Sequence, residues 1–355
     1  MIDERSLAFL KRLLDAPGPS GFERVPARVW REEASTFAKV ETDVAGNSVA
    51  TLNPGGRPRV MLAGHLDEIG VMVVHLDDDG FVSFAPIGGW DSQVLVGQRV
   101  RLDGRGGPVT GVIGKKAIHL MKTEEKDKVS KVTDLWIDIG AATKAEAAGK
   151  VRVGDAGVLI APLLELPNGR LVSRSIDNRI GAFVVLEALR RLAQQPPAAC
   201  VVAVGTTQEE IASSGGGART SAFGVEPVAA IVVDVTHATD YPGVEKKEVG
   251  DFKLGGGPVL ARGSAVSPAV FDQLVATAEA EQIPFGIEAA PRGTSTDADA
   301  IYTSRRGIAT GLVSVACRYM HSPNEMVSLD DLDRAAALLA AWVRRLEPGT
   351  TFIPF

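Results

Sequence analysis

The sequence predicts an α/β fold: a central, largely parallel or mixed sheet with helices on both faces, interrupted by an inserted β-rich unit. Three observations predict it. Short apolar runs recur at 60–63, 200–204, 229–233 and 312–316, the last broken only by Ser314, as strands buried on both faces require. Segments with apolar residues at helical spacing lie before, between and after them. From about 75 to 172 this texture gives way to short Gly- and Val-rich strands, and then it resumes.

The elements follow in order. Leu7, Leu10 and Leu14 share one face of a helix at 6–14. The run 60–63 is the first core strand. In the middle stretch, Asp79-Gly80, Gly88-Gly89 and Asp103-Gly104 mark turns between short strands at 81–84, 98–102, 135–139 and 157–161. Only 143–149 has a helical pattern there, so the stretch reads as a small β-barrel. Ala182, Val185, Leu186, Leu189 and Ala193 then face one way on a helix at 178–194. Ser267-Pro268 supplies a cap and a first-turn proline for a helix running toward Glu281. Ser328 and Asp331 resemble a capping box opening a last helix, with Leu332, Ala335, Ala336, Leu339, Val343 and Leu346 inward.

Composition narrows the function. A chain of 355 residues, 45% hydrophobic, can bury a large core and is long enough for two domains. The net charge of −6 argues against a nucleic-acid partner. The longest apolar run is 335–343, short of the roughly 18 residues that span a bilayer, so no membrane partner is expected. The N-terminus lacks a basic-then-apolar signal pattern, and Cys200 and Cys317 lie in apolar runs. Reduced core thiols in a cytoplasmic protein are the expectation.

Candidate chemistry sits just past the apolar runs, where open α/β sheets bind ligands. The first run leads to His65 and Asp67, the second to Glu209-Glu210, the third to Asp234 and the fourth to His321. Asp177 opens the helix at 178. Each alone has a plain reading: a strand-end histidine is usually structural, paired glutamates are usually solvated, and an acid before a helix is usually a cap. Together they suit a metal hydrolase. His75 and His119 fall in the β-rich middle, and His237 lies close to Asp234. Gly215-Gly216-Gly217 is no phosphate loop, because no Gly-Lys-Ser/Thr follows, and no Gly-x-Ser-x-Gly elbow is present.

At these residues the sequence resembles the dinuclear metallo-aminopeptidases that include tetrahedral, deblocking and bacterial glutamyl aminopeptidases. The resemblance rests on Ala16-Pro17-Gly18-Pro19-Ser20-Gly21-Phe22-Glu23, Ala63-Gly64-His65-Leu66-Asp67-Glu68-Ile69-Gly70 and Ser175-Ile176-Asp177-Asn178-Arg179. It continues through Thr207-Gln208-Glu209-Glu210, Val233-Asp234-Val235-Thr236-His237-Ala238 and Arg318-Tyr319-Met320-His321-Ser322-Pro323. Gly293-Thr294-Ser295-Thr296-Asp297-Ala298 departs from the family's shorter Gly-Thr-Asp-Ala.

The resemblance implies a three-layer α/β/α peptidase domain at 1–72 and 166–355, with a β-barrel-like dimerisation domain inserted at 73–165. It implies two divalent metal ions per subunit: one held by His65, Asp177 and Asp234, the other by Asp177, Glu210 and His321. Asp177 would bridge, Glu209 would be the general base for a water activated by both metals, and Asp67 would steady His65. A cis peptide at Asp177-Asn178 is also implied. The substrate would be a peptide with a free N-terminus, and the dimers would assemble into a tetrahedral dodecamer. Imidazole and carboxylate ligands suit zinc or cobalt, with manganese a further option, and the three ligand carboxylates offset most of the metals' charge. Two alternatives stand beside this reading: a dinuclear amidohydrolase acting on N-acylated amino acids or peptides, and an endoglucanase, which the 5% aromatic content disfavours.

Overall fold

The computed structural model describes residues 2–211 and 215–353. All four apolar runs are strands of one eight-stranded sheet. Its order is Lys39–Thr42, Ser48–Leu52, Cys200–Thr206, Arg59–His65, Ala229–His237, Ala309–Cys317, Val259–Gly263 and Gly286–Ala290. The centre is parallel: Arg59–His65 lies between Cys200–Thr206 and Ala229–His237, and Ala309–Cys317 follows on. Ser48–Leu52 and Val259–Gly263 pair antiparallel to their central neighbours, so the sheet is mixed.

Helix Ile176–Gln194 packs on the central strands, with Glu4–Asp15, Arg24–Ala34 and Leu329–Arg344 around it. Gly216–Val225 and Asp297–Ile301 pack against each other and against the sheet, completing a three-layer α/β/α arrangement. The central helix comes close because Gly64 carries no side chain. A Cβ at Gly64 would stand 2.4 Å from the Gly181 carbonyl carbon.

The middle of the chain forms a closed barrel of six strands. Gly70–Leu76, Val82–Ile87, Trp136–Asp138, Gly107–Gly114, Arg99–Gly104 and Ala156–Leu159 pair in that circular order. It has its own core, which includes Val71, Val100, Leu102, Ile113 and Ile137. Closure leaves no free edge to satisfy. The barrel's first strand begins at Gly70, five residues beyond His65.

Three local expectations need correction. Ser328 is the N-cap residue of Leu329–Arg344, but no capping box forms. Asp331 instead accepts the N–H groups of Gly255 and Gly257, each at 2.7 Å, which fixes a loop that the sequence does not place next to it. Asp234 does not end its strand: Ala229–His237 continues three residues past it, because Ala309–Cys317 pairs with it to the end. The middle stretch has two short α-helices besides Lys144–Lys150, at Ser92–Leu95 and Thr123–Lys126, and two 3-10 turns, at Ile118–Leu120 and Val132–Asp134. Cys200 and Cys317 are buried and free.

Candidate active site

The site forms where neighbouring strands part. Arg59–His65 pairs with Ala229–His237 only as far as Ala63 and Val232. Beyond that point the two strands diverge, and His65 and Asp234 face the opening. Asp177 enters from the start of the central helix, Glu209 and Glu210 from the loop after Cys200–Thr206, and His321 from the loop after Ala309–Cys317. All six line one cavity of about 1260 Å³.

Asp177 lies between the two imidazoles. Its Oδ1 is 3.3 Å from His65 Nε2, and its Oδ2 is 3.4 Å from His321 Nε2. His321 Nε2 is also 3.4 Å from Glu210 Oε2. Glu209 Oε2 stands 3.7 Å from His65 Nε2, on the side of Asp234. Ligand atoms of His65, Asp177 and Glu210 lie within 4.8 Å of one another, as do those of His65, Glu209 and Asp234. These groupings differ from the implied sets in joining Glu210 to His65 and Glu209 to Asp234. Asp67 and Glu209 are both within reach of His65, but Asp67 meets its other nitrogen, with Nδ1 at 3.3 Å.

Asp67 also orders the glutamates. Its Oδ1 accepts the Glu209 N–H at 3.2 Å, and its Oδ2 accepts the Glu210 N–H at 3.1 Å. One buried carboxylate therefore fixes His65 and both glutamates. Gln208, before the pair, takes a left-handed backbone (φ 61°), as does His321 (φ 58°). Non-glycine residues in that region are uncommon and collect at functional sites. The Asp177-Asn178 peptide is cis. A turn of the barrel also reaches the site: a Cβ at Gly89 would stand 3.3 Å from His321 Nδ1 and press on that ring.

The electrostatics is that of too many acids in too little water. Burial, with Asp234, Asp297 and Glu210 adding to it, pushes Glu209 up to about 10. Burial also raises Glu210 and carries Asp234 well above the carboxylate range, with Asp177 contributing to both. Burial would lower the His65 pKa, yet Asp67, Asp177 and Glu209 raise it well above its ordinary value. Hydrogen bonds donated to Asp177 and Glu210 lift His321 to about 11. Asp177 is driven low: its own burial opposes this, but the two histidines win.

Do these residues fit metal ions? Two donors on one tetrahedral zinc, with bonds of about 2.0–2.1 Å, stand about 3.3–3.4 Å apart. The Asp177–His65, Asp177–His321 and Glu210–His321 separations match that edge length. Glu210 Oε1 is buried without a hydrogen-bond partner among the described residues, an acceptor that a cation would satisfy. The donor set fits.

Several residues around the site have no role assigned from the sequence. Glu325 is buried; its Oε2 accepts the Asp177 N–H at 3.0 Å and its Oε1 the His321 N–H at 2.9 Å. It ties two walls of the site together. Glu68 pairs with buried Arg174 and Arg179, and Arg179 also donates to the Leu66 carbonyl at 3.0 Å. That knot holds the 66–68 loop to the central helix. Asp297 begins its own helix, accepts from Thr206, and is pushed up to about 6 by burial, against the pull of His65. Position in the quoted motifs was the only signal for Glu68. His237 lines the cavity at an exposed strand end, whereas His75 and His119 lie outside it.

Comparison with known proteins identifies the family. A model of the M42 glutamyl aminopeptidase family matches residues 46–338. A lysyl aminopeptidase of Pyrococcus furiosus is 33% identical over 96% of this chain and 97% of its own. The TET aminopeptidase of a marine sediment Thaumarchaeota archaeon has a TM-score of 0.92 at 34% identity, covering 97% of each chain. The TET1 peptidase of Pyrococcus horikoshii has a TM-score of 0.85 at 30% identity, over 96% of this chain and 100% of that one. That peptidase can assemble into a tetrahedron or a large octahedral shell.

Proposed function

The chain belongs to the M42 glutamyl aminopeptidase family and is a peptide hydrolase, and on that premise we propose how its residues divide the work. His65, Asp177 and Asp234 hold one divalent ion, and Asp177, Glu210 and His321 hold a second, with zinc or cobalt favoured and manganese a further option. The observation that carries this reading is Asp177, whose two oxygens face two different imidazoles. Two ions there would polarise the scissile carbonyl and acidify a water. Glu209 removes the water's proton at a carboxylate oxygen and returns it to the leaving amine. Burial raises the pKa of the Glu209 carboxyl, which favours holding the proton for delivery to the amine, and two cations beside it would favour the ionised form that takes the proton from water. Asp67 keeps His65 oriented through Nδ1 and holds the backbone of both glutamates.

The cavity exceeds the roughly 300–1,000 Å³ of a small-molecule pocket, as a peptide of several residues requires. The barrel at 73–165 is the dimerisation domain of this reading. Dimers build a tetrahedral dodecamer in the cytoplasm, by analogy with the shells of the Pyrococcus horikoshii relative. The deciding experiment compares a free leucyl peptide with its acetylated twin, with zinc or cobalt added. Cleavage of the free peptide alone supports the aminopeptidase. Preference for the acetylated one would replace it with the amidohydrolase.

A further inference from the structure

We propose that Glu288 selects the substrate, accepting the cationic side chain of an N-terminal lysine or arginine. This rests on the aminopeptidase reading above and deepens it.

Glu288 lies on the edge strand Gly286–Ala290 and lines the same cavity as the acid–imidazole cluster. Thr236 Oγ1 donates to Glu288 Oε1 at 2.9 Å. Three strand spacings separate their strands in the sheet order, a span of about 14 Å if the sheet were flat. A threonine and a glutamate cannot bridge that. The sheet edge must therefore curl over the cavity, and it brings the carboxylate with it.

The placement suits a long side chain. Thr236 is two residues from Asp234 on the same face of one strand, roughly 7 Å along it. That is about the reach of the four-carbon stem of lysine. Small residues, among them Ala261, Ala290 and Ser314, also line the cavity. Glu288 is half-buried, and no Lys or Arg forms an ion pair with it among the described residues. Burial raises its pKa, with the Thr236 hydrogen bond and His237 opposing, so its charge lacks full compensation. A substrate ammonium or guanidinium would supply it.

Two arginines also line the cavity, and they pose the opposite possibility of an acidic substrate. Arg219 and Arg292 are exposed, with their charge already solvated. A solvated charge gains little from a partner, whereas a desolvated one gains more. Glu288 therefore dominates the choice.

The test uses the full-length, metal-loaded enzyme and para-nitroanilides of Lys, Arg, Leu and Glu. The expected result is a kcat/KM for Lys and Arg about tenfold or more above Leu, with Glu lowest. Glu288→Gln keeps the acceptor for Thr236 and should cut Lys and Arg by about 10- to 100-fold while leaving Leu within about threefold. Calorimetric titration with free L-lysine and L-leucine reads the same preference without turnover, and Glu288→Gln should weaken only lysine. The wild-type panel decides the matter even if the variant fails to fold. Highest activity on Glu, abolished by Arg292→Ala, would overturn the proposal, as would Leu ranking first. Failure to cleave any free-amine substrate would instead sink the aminopeptidase reading itself.

Discussion

Replacing Glu325 by glutamine probes how the site is held together. The glutamate uses each oxygen once, for the backbone N–H groups of Asp177 and His321 at 3.0 and 2.9 Å. Glutamine offers one oxygen and one NH₂, so one backbone N–H must face another donor in a buried place. Leaving a buried donor unpaired costs about 1–3 kcal/mol. Asp177 and His321 move apart or shift, and metal affinity should fall by about 5- to 150-fold, the equilibrium equivalent of that penalty. The affinity is read by calorimetric titration of chelated, dialysed protein with Zn²⁺ or Co²⁺, and stability by urea unfolding with and without metal. The loaded protein should lose more stability than the chelated one, because both oxygens accept N–H groups only when Glu325 is ionised, and nearby cations favour that form. Burial and Asp177 otherwise push its pKa well up. Wild-type metal affinity together with an unchanged unfolding midpoint would refute the argument.

Other perturbations test other parts. Glu209→Gln should keep its metals, by elemental analysis, and lose about 10²- to 10⁴-fold in kcat, the usual contribution of a general base; near-normal turnover would remove Glu209 from that role. His321→Ala should bind one metal fewer and lose activity with it, and a variant with full metal content and normal rate would contradict the assignment. The chelated protein should become less stable as pH rises. Asp297 is raised by burial from 3.8 to about 6, so the folded form keeps a proton that the unfolded chain has lost. That stability is present below about pH 4 and disappears by about pH 6, a change of about 3 kcal/mol. Asp297→Asn should flatten this part of the profile in urea unfolding across that range, and an unaltered slope would count against the burial argument.

The sequence carried the scaffold through hydrophobic runs. Residues 60–63, 200–204, 229–233 and 312–316 became central strands because Ser314 is the one polar residue among them. The site was legible because His65, Glu209, Asp234 and His321 come soon after those apolar runs and Asp177 opens a helix, an order that the family motifs share. What stayed hidden depends on partners far off in the chain. Glu325 acts on backbone N–H groups, which leave no trace in side-chain pattern. Asp331 looks like a capping acid but spends both oxygens on Gly255 and Gly257. The barrel strand Gly107–Gly114 was missed because its three glycines and a proline mask any alternation. Glu288 gave no signal at all, since only the curl of the sheet edge brings it to the cavity.

The central claim is that Asp177 is shared by two cations. Crystals grown with zinc or cobalt and measured at the metal's absorption edge test it directly. The account predicts two anomalous peaks per chain flanking the Asp177 carboxylate, one beside His65 and Asp234 and one beside His321 and Glu210. A single peak, or two peaks with Asp177 bound to neither, would contradict it.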